Sequence, residues 1–545
     1  MLEQKKEFER DLDKWREIKS NNKSYRERFE EAGEIRNQIV EWYLLDLIDE
    51  EFDPRKILTN GILGKTLNLE YHFLPIDTKY FKDLELEILS LFDNLDGELD
   101  GWLIKSENWQ ALNTILPKFK EKVQTIYIDP PFNTGSNEFT MYINRFLDSA
   151  WITMMENRLR LAKEILKDTG SIYVRIDYHG NHYVRFLMDD IFGKENFQAE
   201  IVVNRFKKKS NTFTTTTENF YFYSKNASKL LFNPIFRPRI CTFCKQPIKP
   251  RWHPMSSPGE SEAPILINGR EFYPPKGRHW TYSQESVDRM LEEGRIRINE
   301  KITYTDVKGN KVKGMPEYLE ATEQQVDNNW TDITGYEFGA EFPTQNSETV
   351  IKRVIQASSN PGDLVVDFFL GSGTTTAVAH KLGRKWIGVE MGEHFYTVVL
   401  PRMKKVLAYD KSGISRDEDV KENYNERKAG GFFKYYELEQ YEDTLRRVKY
   451  ADADPFFDPT QDPYNQYIFM KDLKLLEALE IDYKNNKVKV NLEKLYINID
   501  MAETLSSLLG KWIKRITEDY VEFEDGEKVN IKDLDYKLIK PLIWW

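Results

Sequence analysis

The chain has 545 residues and a formal net charge of −11, and 40% of its residues are hydrophobic. This length exceeds one ordinary hydrophobic core and predicts about three or four domains, while the composition excludes a disordered chain. The two cysteines exclude a disulfide framework and favour a reducing compartment. No apolar run approaches the roughly 18–20 residues that span a bilayer, and the N-terminus lacks the apolar core of a secretory signal. We therefore expect a cytoplasmic protein with no membrane partner.

Residues 1–99 are predicted to form a helical N-terminal arm. Phe8, Leu12, Trp15 and Ile18 recur at three- and four-residue steps within a densely charged stretch, which is typical of an amphipathic helix. The arm is expected either to pack on its own body or to contact a second copy or another partner.

Strands and helices alternate from about residue 100. Residues 123–128 form a short apolar run that stops at Asp129, residues 151–166 have helical periodicity, and residues 172–176 are again apolar. Strand–helix–strand alternation predicts an α/β protein with a parallel sheet and helices on both faces. Ligands in such sheets bind beyond the carboxyl ends of the strands, where Asp129 is expected.

The alternation is interrupted between about 231 and 340, where Pro and Gly are frequent, and this stretch predicts an inserted, loop-rich module. The alternating pattern resumes over residues 341–405. Residues 406–545 are predicted to form a separate C-terminal α+β domain.

The first segment that contains candidate catalytic residues is Asp129-Pro130-Pro131-Phe132. An amine on an aromatic base is a poor nucleophile, because its lone pair is delocalised into the ring. The Asp129 carboxylate and the Pro130 carbonyl can accept hydrogen bonds from such an amine, and two prolines keep both acceptors aimed. Phe132 offers a flat face on which a base can stack. The alternative is a simple turn at the end of a strand.

The second segment runs from Asp367 to Thr375 and contains Gly371 and Gly373 between an apolar strand and a helix. Glycine allows close backbone approach to a ligand, and a helix N-terminus can receive a carboxylate. Glu390 ends the next strand, where an acidic residue binds ribose hydroxyls in nucleoside-binding folds.

Together these segments resemble β-class DNA amino-methyltransferases, in which the catalytic motif precedes the target-recognition region and the cofactor loop follows it. Within that class the chain is similar to the modification subunits of type III restriction-modification systems. The resemblance covers most of residues 100–400 and includes the segments 103–108, 132–137, 173–177 and 342–346. It implies a Rossmann-like methyltransferase sheet, with a catalytic half at 100–230, a target-recognition insert at 231–340 and a cofactor-binding half at 341–405.

The cofactor implied by the resemblance is S-adenosyl-L-methionine, and no metal is implied. The implied catalytic residues are Asp129, Pro130, Pro131 and Phe132. The implied cofactor-binding residues are Asp367, Phe369, Gly371, Ser372, Gly373, Thr374, Thr375, Glu390, Thr344 and Asn346. The chain departs from the family at Phe132, where tyrosine is more usual, at Phe368, which replaces a proline, and at Asn346-Ser347, where Lys-Pro is general.

Aspartate at position 129 resembles the adenine-N6 enzymes, since cytosine-N4 enzymes generally carry serine there. The expected activity is site-specific methylation of the adenine N6 amine in duplex DNA, as part of a restriction-modification system. Three alternatives remain: a cytosine-N4 methyltransferase, a catalytically inactive DNA-binding relative, and a small-molecule methyltransferase.

The partners implied are double-stranded DNA, a second copy of the chain, and a separate restriction (helicase-nuclease) subunit. The net charge argues weakly against DNA binding, but phosphate contacts need only a local basic face. The expected DNA-binding residues are Lys207, Lys208, Lys209, Arg237 and Arg251, with base stacking by Trp252, Phe272, Tyr273 and Trp280. The alternative for this region is a solvated insert with its own minor core. Cys241 and Cys244 are compatible with a zinc site or with two reduced thiols in a turn.

Overall fold

The computed structural model describes part of the chain. The described residues are 36–49, 51–61, 64–134, 146–205, 213–241, 243–244, 246–337, 339, 342, 344–440, 479–482, 487–490, 492–496, 498–534 and 538. They divide into two compact units, one made of the chain up to Asn233 and from Asn328 onward, the other of Pro234–Asp327.

A nine-stranded sheet forms the core of the larger unit. In chain order its strands are β1 Gly101–Lys105, β2 Val123–Ile128, β3 Leu166–Ile176, β4 Phe197–Asn204, β5 Thr217–Ser224, β6 Asn329–Thr334, β7 Leu364–Asp367, β8 Lys385–Glu390 and β9 Phe433–Glu437. Across the sheet their order is β6–β4–β5–β3–β2–β7–β8–β1–β9. All six residues of β2 are buried, because this strand lies in the middle of the sheet and is covered on both faces.

The sheet is mixed. Neighbouring strands from β3 through β2, β7, β8 and β1 to β9 run parallel. Strand β5 is antiparallel to both of its neighbours, β3 and β4. The α/β fold is therefore confirmed, whereas the prediction of a wholly parallel sheet is wrong at β5. Within the described residues no helix lies between β4 and β5, and antiparallel neighbours do not need the helical crossover that a parallel pair requires.

In the part of the chain that the structure describes, six helices flank this sheet. They are α1 Asn108–Phe119, α2 Asp148–Ile165, α3 Asn181–Phe192, α4 Glu348–Ser358, α5 Thr374–Lys381 and α6 Leu400–Leu407. Helices α1, α2 and α3 pack in a row, and α4, α5 and α6 form a second row. Connections through the first row run along the sheet in one direction and those through the second row run in the other. Right-handed crossovers therefore place the two rows on opposite faces.

Strands β2 and β7 are adjacent and parallel, with Val365 opposite Thr125 and Val366 opposite Ile126. The chain leaves β2 towards β3 and leaves β7 towards β8, so the direction of winding changes between these two strands. A crevice opens at such a switch point beyond the carboxyl ends of the strands. Asp129 and Asp367 both lie at this edge.

The smaller unit, Pro234–Asp327, has a hydrophobic core of its own. Its longest elements are the paired strands Ile296–Thr305 and Lys311–Leu319 and the helix Gln284–Glu292. Shorter strands are Phe236–Pro238, Trp252–Pro254, Ser256–Pro258, Ile265–Ile267, Arg270–Phe272, Arg278–Trp280 and Glu323–Gln325. The unit begins 3 residues and ends 13 residues inside the expected insert, 231–340.

The described N-terminal residues contain the helix Arg36–Leu44 and a hairpin of Leu58–Gly61 and Gly64–Leu67, followed by the short helices Glu85–Leu89 and Leu95–Glu98. The first of these helices belongs to the larger unit and packs on α6, where Lys404 Nζ lies 2.5 Å from Glu41 Oε1. Phe8, Leu12, Trp15 and Ile18, on which the expected helical arm rests, lie outside the described residues, and within the described part of 36–99 a hairpin separates the helices.

After residue 405 the chain first adds β9 to the central sheet. It then contains the hairpin Leu479–Asp482 and Lys487–Val490, the helices Leu492–Leu495 and Met501–Leu509, and a sheet of Ile513–Ile516, Tyr520–Phe523 and Lys528–Asn530. The expected start of a separate domain at residue 406 therefore falls before β9, which still belongs to the central sheet. Within the described residues, no helix combines the length and apolar character needed to cross a membrane.

Candidate active site

The turn Asp129–Phe132 follows β2 directly and is fixed from two sides. Trp151 of α2 donates its indole N–H to the Pro131 carbonyl at 2.7 Å. Asn133 has a left-handed backbone (φ 57°), and its side-chain oxygen accepts from the Phe146 N–H at 2.8 Å. Phe132 is partly buried against the central core. These contacts therefore fix the conformation of the turn at the carboxyl end of β2.

Asp129 lies among charged groups with 15% of its side chain exposed. Its Oδ2 accepts from Asn346 Nδ2 at 3.0 Å and lies 3.9 Å from Arg175 Nη1. Burial raises the pKa of Asp129 to about 6, against the opposing effects of the Arg175 charge and the Asn346 hydrogen bond. The carboxylate is thus an ionised acceptor at neutral pH but close to its titration range.

Asp367 ends β7 and organises the glycine loop. Its carboxylate accepts from Thr375 Oγ1 at 2.6 Å and from the Phe369 N–H at 2.9 Å. Burial raises the pKa of Asp367 to about 7, and the two hydrogen bonds oppose this shift. Asp367 therefore ties the strand end to the first turn of α5.

The loop reaches α5 through two glycines in the left-handed region, Gly371 (φ 58°) and Gly373 (φ 82°). These conformations favour glycine and leave the backbone without side chains where α5 begins. Ser372 and Thr374 are buried. Arg402 of α6 donates to the Thr374 hydroxyl at 2.9 Å and to the Ser372 carbonyl at 3.3 Å.

Glu390 at the end of β8 lies against the same loop. One of its carboxylate oxygens accepts from the Gly371 N–H and the other from the Gly392 N–H, both at 2.8 Å. His394 Nε2 lies 3.3 Å from Oε1, the oxygen that accepts from Gly392, whereas Oε2 keeps a lone pair for a further donor. The Glu390 carboxylate can accept hydrogen bonds from ribose hydroxyls, and the helix N-terminus after the glycine loop can receive the carboxylate of an amino-acid tail. The residues present therefore suit a nucleoside cofactor that carries an amino acid.

The structure brings the two predicted segments together, although they are more than two hundred residues apart in sequence. Asp129 and Asp367 are close enough for the Asp129 charge to contribute to the raised pKa of Asp367. Asn346, which is expected to contact the cofactor, is hydrogen-bonded to Asp129. Thr344 is half-buried in the same segment, two residues before it.

The expected DNA-binding residues are only partly described. Lys207, Lys208 and Lys209 lie outside the described residues. Arg251 is exposed on the smaller unit, while Arg237 lies 3.7 Å from Asp327. In the same basic stretch, Arg239 pairs with Glu320 at 2.9 Å.

The expectation that Phe272 and Trp280 stack on bases is wrong. Both are buried in the core of the smaller unit, and the Trp280 N–H donates to the Phe272 carbonyl. Trp252 and Tyr273 are half-buried, each beneath a cationic side chain, Arg297 at 4.3 Å and Lys308 at 3.6 Å.

Three site residues were missed by the sequence analysis: Arg175, Trp151 and Arg402. Arg175 lies in a segment quoted for its family resemblance, but nothing in the sequence indicated that its side chain turns towards Asp129. Trp151 lies in the helix that the periodicity of residues 151–166 predicts, and Arg402 lies in α6; in neither case does the sequence show which loop the side chain meets.

Among the described residues, no group of three or more His, Cys, Asp or Glu side chains could hold a metal ion. Cys241 is half-buried and Cys244 is exposed in the smaller unit.

Comparison with known proteins gives consistent matches. The chain is 28% identical over 542 residues to the HindVI Mod subunit of a probable type III restriction-modification enzyme from Haemophilus influenzae, covering 83% of this chain and 71% of that protein. It is 32% identical to the type II methyltransferase M.EcaI of Enterobacter cloacae, covering 54% of this chain and 67% of that protein. It is 24% identical to the DNA adenine methyltransferase YhdJ of Escherichia coli, covering 60% of this chain and 88% of that protein.

A family model described as DNA methylase, N6_N4_Mtase, matches residues 123–400. This match runs from the first residue of β2 to the first residue of α6 and includes both the Asp129 turn and the glycine loop. Because it covers just over half of the 545 residues, the chain belongs to the N6_N4_Mtase family of DNA methylases.

Proposed function

We propose that this DNA methylase transfers a methyl group from S-adenosyl-L-methionine to the N6 amine of adenine in duplex DNA, as the modification component of a restriction-modification system. The observation that carries the proposal is the adjacency of the carboxyl ends of β2 and β7, which brings the Asp129 turn beside the glycine loop. One relative is named as a Mod subunit of a restriction-modification enzyme, which supports a role in such a system. Another is named as a DNA adenine methyltransferase, which supports adenine as the methylated base.

The target adenine must leave the base stack before its amine can reach Asp129, at a cost of a few kcal/mol. Phe132 can stack on the extruded ring. The Asp129 carboxylate and the Pro130 carbonyl would each accept one N–H of the amine, which directs the nitrogen lone pair away from the ring plane. The stiff prolines, held by Trp151, mean that little reorganisation is needed at that moment.

Residues on the other side of the crevice would hold the cofactor. Glu390 would accept from ribose hydroxyls, and the N-terminus of α5 would face the carboxylate of the methionine end. Thr344 would line the same end. The bound cofactor supplies an electrophilic methyl group on a sulfonium. The adenine nitrogen would take up this methyl group while the sulfonium sulfur keeps the bonding electrons, and the Asp129 carboxylate would accept the surplus proton of the amine. Much of the rate would come from in-line alignment.

The proposed DNA contacts are Lys207, Lys208, Lys209, Arg237 and Arg251, whose positive charge suits phosphates. A second copy of the chain and a restriction subunit are proposed as protein partners. Within the described residues, the smaller unit has a basic stretch and its own core, which a small-molecule methyltransferase would not need.

The first test is methylation in a host that lacks DNA methylation, followed by sequencing that distinguishes modified bases. The wild-type protein is expected to leave N6-methyladenine at one motif. Asp129→Ala is expected to abolish methylation, because the amine loses its ionised acceptor, and to retain cofactor binding.

Each alternative gives a different result in that experiment. N4-methylcytosine would assign the activity to cytosine. DNA binding without any transferred methyl group would identify an inactive relative. Full methylation by Asp129→Ala would refute the catalytic assignment.

A further inference from the structure

Asn346 and Arg175, to which the proposed reaction assigns no role, lie next to the Asp129 carboxylate. Asn346 Nδ2 donates to Asp129 Oδ2 at 3.0 Å. The Asn346 carbonyl oxygen accepts from Arg175 Nη1 and lies 3.4 Å from the Tyr127 hydroxyl. The side-chain amide thus joins the catalytic carboxylate to a buried guanidinium.

The chemistry of the partners fixes the orientation of this amide. Arginine has only donors, and an ionised carboxylate has only acceptors. Asn346 can therefore satisfy both only by presenting its oxygen to Arg175 and its nitrogen to Asp129, as observed. A flipped amide would face two like groups and lose both hydrogen bonds.

Arg175 is itself held from several directions. Its side chain is fully buried, and Glu218 Oε2 accepts from its Nε at 2.9 Å and from its Nη2 at 2.6 Å. Its Nη1 donates to the Gly335 carbonyl at 3.0 Å, and the guanidinium lies 4.2 Å from the centre of the Tyr336 ring. An arginine fixed in this way gives Asn346 a rigid anchor.

The arrangement engages one oxygen of Asp129. Within the described residues, the hydrogen bonds to this carboxylate involve Oδ2, and Arg175 stays 3.9 Å away, beyond direct hydrogen bonding. Oδ1 is therefore left for another donor. A direct two-pronged Arg175–Asp129 pair would instead have engaged both oxygens.

We propose that Asn346 and Arg175 are positioning residues, which hold Oδ2 of Asp129 and thereby leave Oδ1 aimed at the substrate amine. The inference rests on the proposed function, because it assigns Asp129 the role of amine acceptor. It gives Asn346 a place in the catalytic half of the site, although its position in the sequence indicated the cofactor.

The pH dependence follows from the groups around Asp129. Those that face it are Tyr127 on β2, Arg175 and Asp177 on and after β3, Glu218 on β5, Tyr336 and Asn346 before α4, and Asp367 on β7. The Asn346 hydrogen bond favours the ionised form and lowers the pKa of Asp129. Removing this donor therefore raises that pKa, so the activity that requires ionised Asp129 moves to higher pH.

The test measures single-turnover methyl transfer against pH for the full-length protein, at saturating S-adenosylmethionine and substrate DNA, together with the Kd for the cofactor. Asn346→Ala is expected to lower the rate at neutral pH by on the order of tenfold to a hundredfold, to shift the acid limb to higher pH, and to leave the Kd unchanged. Asn346→Asp keeps the shape and the acceptor for Arg175 but adds a negative charge, so its acid limb should shift further. It also keeps the test available if the alanine variant does not fold.

Asn113→Ala is the matched control, since Asn113 is exposed on α1 and donates to the Trp109 carbonyl of its own helix. Its profile should match the wild type. The inference is overturned if Asn346→Ala and Asn346→Asp reproduce the wild-type profile, or if their loss lies wholly in the cofactor Kd. A wild-type protein that transfers no methyl group overturns the proposed function, which separates the two failures.

Discussion

At the scale of single residues, Asp129 combines a chemical role with an energetic cost. Burial raises its pKa from 3.8 to about 6, so the folded protein binds this proton more tightly than the unfolded chain does. The contribution of this group to stability is therefore fully present below about pH 4 and is lost as the pH rises through 6. At neutral pH the site holds an ionised carboxylate that the fold disfavours.

Asp129→Asn is accordingly expected to stabilise the protein while removing methylation. The pKa shift corresponds to up to about 3 kcal/mol at pH 7.5, at about 1.4 kcal/mol per unit, and to almost nothing at pH 4. Thermal unfolding at both pH values measures the difference. Asp190→Asn, at a side chain that is 59% exposed, is the control. A variant that is less stable than the wild type at pH 7.5 would contradict this account.

Wild-type activity should show the same titration. Methyl transfer requires ionised Asp129 as the acceptor, so the single-turnover rate is expected to rise with pH through about 6 and then level off. A rate that is flat between pH 5 and pH 8 would show that another step, or another group, limits transfer.

At the scale of secondary-structure elements, the glycine loop is held by a neighbouring helix. Arg402 of α6 donates to Thr374 and Ser372 and also pairs with Glu348 of α4 at 3.0 Å. Three elements, α4, α6 and the loop before α5, therefore meet at one guanidinium. Ser372 and Thr374 are expected to bind the cofactor, so Arg402 shapes the backbone that the cofactor would contact.

Arg402→Ala is expected to weaken S-adenosylmethionine binding about tenfold, which is about 1.4 kcal/mol, because the loop loses its clamp. The transfer rate at saturating cofactor should change little, since the Asp129 turn is held separately by Trp151. Isothermal titration calorimetry gives the Kd. Lys405→Ala on the same helix, at a side chain that is 43% exposed, should bind normally. An unchanged Kd for Arg402→Ala would show that Arg402 does not hold the glycine loop in its cofactor-binding conformation.

At the scale of the whole molecule, the chain forms two units with separate hydrophobic cores. The core of the smaller unit includes Met255, Phe272, Trp280 and Val287. The catalytic and cofactor segments lie in the larger unit, on either side of the smaller one in sequence. Such a division predicts that cofactor binding and DNA binding are separable.

Replacing residues 234–327 with a short flexible linker is expected to preserve cofactor binding and to weaken DNA binding strongly, because the basic stretch from Arg237 to Arg251 is removed. Calorimetry and DNA mobility shifts at a fixed salt concentration measure the two. Arg251→Ala in the full chain should reduce DNA affinity to a smaller extent. Retained DNA affinity in the deletion would show that the larger unit carries the contacts.

The fold and the two halves of the site were largely predictable from local signals. Apolar runs that stop at Asp129, Asp367 and Glu390 mark the ends of parallel strands, and in an α/β sheet the carboxyl ends of such strands meet at one edge. The positive-φ positions Gly371 and Gly373 are similarly visible as glycines after a strand. These features depend on neighbours in the sequence, so the sequence alone determined them.

The surroundings of Asp129 depended on tertiary structure. Asn346 lies more than two hundred residues from Asp129, and only the pairing of β7 with β2 and the start of α4 bring its amide to the carboxylate. Phe272 and Trp280 resembled base-stacking residues until packing placed them in a core. Periodicity and composition report whether a side chain is buried or exposed, whereas its partner depends on how distant elements pack. The sequence by itself determined the α/β class and both motifs, and the tertiary structure decided the strand order, its switch point and which residues hold the motifs.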